Sequence, residues 1–143
     1  MAVGMRRKRA TVQDYNSLGV HFYSVGAYDL AIVQLETAVA LAPEVASLHF
    51  NLGGAYYGKG RVADAECELR RTLELDPSHV RTHWFRGVCL EKLDRFEEAL
   101  AEFQWVLRYS AGTREARSAR EEIEAIGLLR NGRGDEGSWI CLP

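Results

Sequence analysis

Cysteine, proline and unbroken apolar sequence are all scarce in this chain of 143 residues. The three cysteines, Cys67, Cys89 and Cys141, are an odd number without paired spacing, which excludes a disulfide framework and a zinc-finger pattern. A reducing, cytoplasmic setting is the expectation. The longest stretch without charged or polar side chains, counting glycine as apolar, is Leu52–Gly58. A membrane span needs about 18 such residues, so neither a spanning segment nor a secretory leader is expected. With 47% hydrophobic and 27% charged residues, wholesale disorder is excluded as well.

Charge of one sign is also missing overall, with 18 basic against 20 acidic residues and a net charge of −2. The distribution is uneven. Arg6, Arg7, Lys8 and Arg9 form a short basic tail, and every acidic residue lies beyond it. Four cations without interleaved aromatics, attached to an acidic body, do not make a nucleic-acid surface, so nucleic acid is not an expected partner. Arg133-Gly134-Asp135 reproduces an adhesion tripeptide, a coincidence in a chain of this kind.

Catalytic signatures are absent too. The sequence holds no glycine-rich phosphate loop behind a strand, no nucleophile elbow and no carboxylate pair beside a base. His79 and His83 stand i, i+4, a spacing that can hold a metal, but no third ligand follows at a suitable distance. His83 also shares a column with Tyr15 and His49, which favours a ring that fills space. The expectation is no enzyme, no metal and no cofactor.

What the chain does have is a repeat. Gly19, Gly53 and Gly87 are spaced 34 residues apart, as are Ala31, Ala65 and Ala99. The same step links Phe22, Tyr56 and Leu90; Tyr28, Val62 and Phe96; and Leu35, Leu69 and Phe103. Pro43 and Pro77 follow it, with Ala111 at the third place. Within each unit the apolar spacing is helical: Tyr15, Leu18, Gly19 and Phe22 fall at i, i+3, i+4 and i+7. Gly26 and Gly60 break that pattern between two helices, and the prolines stop the second one. The spacing predicts first helices near 12–25, 46–59 and 80–93, and second helices near 28–41, 62–75 and 96–109. A glycine inside a helix costs roughly 0.5–1 kcal/mol, so three at one phase imply a close approach, with the alanine column as the facing residues.

These residues resemble the tetratricopeptide repeat family, through Leu18-Gly19-Val20-His21-Phe22, Leu52-Gly53-Gly54-Ala55-Tyr56, the following alanine and the closing proline. The third unit departs from the pattern, with Arg86 for leucine, Asp94 for the turn glycine and Ala111 for proline. The resemblance implies an all-α, right-handed superhelix (α-solenoid) of three helix–turn–helix repeats, 12–45, 46–79 and 80–113. A capping helix is expected over 113–129, with Thr113 as its N-cap and Ala116, Ala119, Ile123 and Ile126 facing inward. Arg86 is expected to pair with a glutamate of that helix. Residues 1–11 and 130–143 read as flexible tails, the second with Trp139, Ile140 and Leu142 near its end.

The resemblance also implies a concave groove lined by the first helices. Its stripe is expected at Asn16, Val20 and Tyr23, then Phe50, Asn51, Gly54 and Tyr57, then Arg81, Trp84, Phe85, Val88 and Glu91. Tyr23, Phe50, Tyr57, Trp84 and Phe85 have the composition of a binding hot spot, and Gly54 and Gly58 are expected to leave room for a ligand. The alternative for each aromatic is packing between helices. Family members that clamp a terminal carboxylate use cations or asparagine where this chain has Asn16, Val20, Asn51, Arg81 and Phe85. Only Asn51 matches outright and Arg81 in charge. The expected partner is therefore an extended or helical protein segment of apolar or mixed character, bound by an adaptor, a scaffold or a factor like the type III secretion chaperones. A homo-oligomer assembled through the same groove is the alternative.

Overall fold

Seven helices and no strand occur among the described residues of the computed structural model, which are residue 4 and residues 8–134. They are α1 (Val12–Ser24), α2 (Tyr28–Leu41), α3 (Ala46–Gly58), α4 (Val62–Leu75), α5 (Val80–Lys92), α6 (Phe96–Tyr109) and α7 (Arg114–Gly134). The first six agree with the expected spans to within one residue. Arg6, Arg7, Trp139, Ile140, Cys141 and Leu142 lie outside the described residues, as does the end of the adhesion-like tripeptide.

The three hairpin turns close in one way. Ala27, Arg61 and Arg95 each donate a backbone N–H to a carbonyl five residues back, those of Phe22, Tyr56 and Leu90. The closure requires a left-handed residue just before the donor, which Gly26 and Gly60 supply at φ 77° and 85°. Asp94 takes the same place at φ 58°, a conformation that aspartate tolerates better than most side chains. The missing third turn glycine therefore leaves the geometry unchanged.

The chain forms two compact units, Met1–Glu68 and Leu69–Pro143, with α4 running across the boundary. In unit 1, Thr11 and Asp14 exchange bonds in a capping box that starts α1. A small core of Ala38, Ala42 and Leu48 is flanked by Val12, Tyr15 and Val39. In unit 2, Leu90, Ala99, Phe103, Val106, Ala116, Ala119 and Ile126 are buried in one cluster.

The glycine column proves to serve the residue sixteen positions later. A Cβ built on Gly19 would stand 2.5 Å from Leu35 Cγ, and one on Gly87 would stand 2.6 Å from Phe103 Cε1. Ala31 offers only its backbone oxygen, at 3.4 Å from the Gly19 position. That is the close backbone approach expected at Gly19, and at Gly19 and Gly87 alike the absent side chain also makes room for a large one.

The capping helix starts as expected, with Ala116 N donating to Thr113 Oγ1 at 3.2 Å. It continues past residue 129 to Gly134. Leu128, Leu129 and Arg130 are good helix formers, and glycine is least costly in the last turn. The stretch 130–134 is therefore helix where a flexible tail was expected. Arg86 donates to Glu102 of α6, one helix earlier than the expected partner.

Candidate functional site

In unit 1 the expected stripe falls on α1 and α3. Asn51 Nδ2 donates to Asn16 Oδ1 at 2.8 Å, linking the two helices through a half-buried amide pair. Val20 and Tyr23 on α1 are 43% and 46% exposed, high values for an apolar and an aromatic side chain on one helix face. A Cβ on Gly54 would meet Tyr23 Cε2 at 3.8 Å, an ordinary contact, so the Tyr23 ring lies beside Gly54. Tyr23 meets Tyr28 edge-on, ring centroids 5.7 Å apart. Phe50 and Tyr57 are half-buried.

The space expected at Gly58 is not open. A Cβ there would collide with the Tyr28 ring, so Tyr28 of α2 fills it. The sequence treated Tyr28 as a packing residue alone. The missed signal was the pairing of a large ring in one column with a glycine thirty residues later.

The α3 flank is held from behind by polar ties. Tyr56 donates from its hydroxyl to Glu36 Oε1 at 2.6 Å, and Arg61 lies 4.6 Å above the Tyr56 ring centroid. Burial, and then the bond to Glu36, raise the Tyr56 phenol well above its usual range, so it remains a donor. His49 donates from Nε2 to the Pro43 carbonyl at 2.7 Å, while its Nδ1 lies 2.7 Å from Glu68 Oε2. The ring that shares a column with the i, i+4 histidine pair is thus a linker tie. His83 repeats the arrangement with Pro77 and Glu102.

In unit 2 the expected residues divide. Arg81 is exposed, and Phe85 is half-buried beside Trp84, with ring centroids 6.5 Å apart. Trp84 and Val88 pack against the core that includes Ala116, Ala119 and Ile126 of α7. The indole Nε1 of Trp84 is buried without a hydrogen-bond partner. Glu91, on the same side of α5, contacts Glu122 of α7; burial and that neighbouring charge hold its carboxyl above the ordinary range. The capping helix therefore takes up much of the α5 stripe, whereas Val20 and Tyr23 on α1 stay exposed. Among the described residues no group of three His, Cys, Asp or Glu could hold a metal, and no helix is long and apolar enough to cross a membrane.

A family model for the TPR repeat matches residues 19–60, and one for the tetratricopeptide repeat matches 64–112. The chain is 29% identical over 97 residues to mouse tetratricopeptide repeat protein 16, covering 68% of this chain and 13% of that protein. Mouse sperm-associated antigen 1 is 31% identical over 100 residues, 69% of this chain and 11% of that protein. The chain thus spans little more than a tenth of the length of these curated relatives.

Among solved structures, the first TPR of Spaghetti (RPAP3), bound to the HSP90 peptide SRMEEVD, aligns with a TM-score of 0.78 at 23% identity, covering 90% of this chain and 99% of that one. The Yersinia enterocolitica type III secretion chaperone SycD, in complex with a peptide of the translocator YopD, aligns at 0.78 and 19%, covering 86% and 97%. At these identities the likeness is one of fold. The family rests on the two repeat models: together they match more than half of the chain, and the chain belongs to the tetratricopeptide repeat family.

Proposed function

We propose that the chain takes a peptide segment of another protein on the first-helix face of its repeats, as an adaptor, scaffold or chaperone-like factor of the cytoplasm. The observation that carries this reading is the α1–α3 face. There Val20 and Tyr23 remain exposed around the Asn16–Asn51 amide pair, beside the half-buried rings of Phe50 and Tyr57. An apolar, aromatic surface with a few fixed amides suits a peptide whose side chains are apolar or mixed. Peptide complexes of the Spaghetti TPR and of SycD support the mode of use. The expected stripe holds Arg81 as its one cation, so a terminal carboxylate finds little charge to pair with in unit 1.

The test is an array of ten-residue peptides of varied composition, with amidated ends, probed with the folded chain. Several apolar or mixed peptides should bind, and Val20→Ala with Tyr23→Ala should weaken the best of them at least about tenfold while helicity is kept. Binding that the folded double variant leaves unchanged would remove the α1–α3 face as the site.

A further inference from the structure

Unit 1 carries a second apolar surface, distinct from the peptide face. On α2 the buried residues are Ala31, Ile32, Leu35 and Ala38. Leu30, Val33, Thr37 and Leu41 fall at i, i+3, i+7 and i+11 and form a stripe on the opposite side. Leu30, Val33 and Leu41 are 52%, 56% and 56% exposed. Thr37 Oγ1 is turned back to the Val33 carbonyl at 2.9 Å, which satisfies its hydroxyl within the helix. The corresponding residues of the later repeats begin with Asp64 and Glu98 in place of Leu30. An outward leucine there is specific to the first hairpin.

Another exposed apolar pair lies in unit 2. Leu128 and Leu129, in the last turns of α7, are 73% and 50% exposed although Ile126 beside them is fully buried. A Cβ built on Gly127 meets nothing within 4 Å, so another backbone can approach closely at that point. The two surfaces also differ in charge. Residues 26–58 contain Asp29, Glu36 and Glu44 but no lysine or arginine, and residues 125–134 contain Arg130 and Arg133 but no acid. Lys59 answers Asp29, Glu36 accepts from the Tyr56 hydroxyl and feels the charge of Arg61, and Glu44 is exposed.

We infer that the outward stripe of α2 receives the last turns of α7 from a second copy of this chain, in a head-to-tail contact. Leu128 and Leu129 lie on the Leu30–Val33–Leu41 stripe, and Arg130 stands against the acidic edge. Each copy presents both halves of the contact, so two copies can exchange them in a closed dimer or pass them on to further copies. It uses neither Val20 nor Tyr23, so it stands or falls independently of peptide binding.

Sedimentation velocity from about 10 µM to about 500 µM covers the range that a small contact requires. The average mass should rise with concentration. Leu30→Glu and Leu128→Glu alter solvent-facing positions, so far-UV circular dichroism should be unchanged. Each alone should weaken association at least about tenfold. An equimolar mixture of the two variants should form dimers and stop there, because one intact α2 stripe meets one intact α7 end and the other two surfaces repel. A wild-type chain that stays monomeric throughout, a single variant that still assembles, or a mixture no larger than its components would each overturn the inference.

Discussion

His49 in unit 1 and His83 in unit 2 occupy the same repeat column, donate to a proline carbonyl six residues earlier and lean on a glutamate nineteen residues later. Around His83, Arg86 also donates to Glu102, and Trp105 stacks on the ring at 3.6 Å between centroids. The outward sides diverge as well: Leu30 and Val33 in the first hairpin stand where Glu98 and Ala101 stand in the third. One backbone plan thus supports a third hairpin tied by Arg86 and Trp105 and a first hairpin whose second helix leaves Leu30 and Val33 toward solvent. The difference shows that repeat columns specify the hairpin, while the residues between them decide what each hairpin is for.

The largest way to sharpen this contrast lies in the cores. Phe103→Ala should cost about 3–5 kcal/mol and Leu35→Ala somewhat less, about 2–4 kcal/mol, because the larger ring leaves the larger cavity. Denaturant unfolding, with hydrogen exchange assigning the loss to each unit, measures both. Equal losses would mean that the two cores are packed alike.

The polar ties come next. Glu102→Ala removes the carboxylate that Arg86 and the buried His83 share and should cost about 3 kcal/mol, whereas Glu68→Ala should cost nearer about 1 kcal/mol. Equilibrium unfolding of the two single variants and the double variant decides the comparison. If Glu68→Ala proves as damaging as Glu102→Ala, the ties are equivalent in strength despite their different surroundings.

The smallest effect concerns pH. Glu91 is held above its ordinary value of 4.5, first by burial and then by the charge and hydrogen bond of Glu122. An acid raised in the folded state contributes stability that is complete below its ordinary value and lost as pH rises through the folded value. Glu91→Gln should therefore leave Tm nearly unchanged at about pH 4 and raise it at about pH 8. A Tm difference independent of pH would show that the α5–α7 contact does not feel this carboxyl.

Helix boundaries were legible because glycine, proline and a shared period punctuate the chain, and those signals act locally. The Glu102 partner of Arg86 was not, since a column states that a position is charged without stating what lies across the hairpin. The site was legible in the same measure. Asn16, Asn51 and Tyr23 fell on one face, as the helical spacing requires. The contact of Glu91 with Glu122 depends on docking of a helix, α7, that lies outside the period. The length of α7 was misjudged because glycines near a terminus signal a stop more strongly than they enforce one.

The pairings of Gly19 with Leu35 and of Gly87 with Phe103 also bear on how such arrays diversify. Tolerance at one position is conditional on the occupant of the other, so neither can drift alone. Recombination that exchanges a whole hairpin carries both partners, while an exchange that breaks between its helices would set a ring against a new methyl group or leave a void. The viable unit of inheritance is therefore the helix pair.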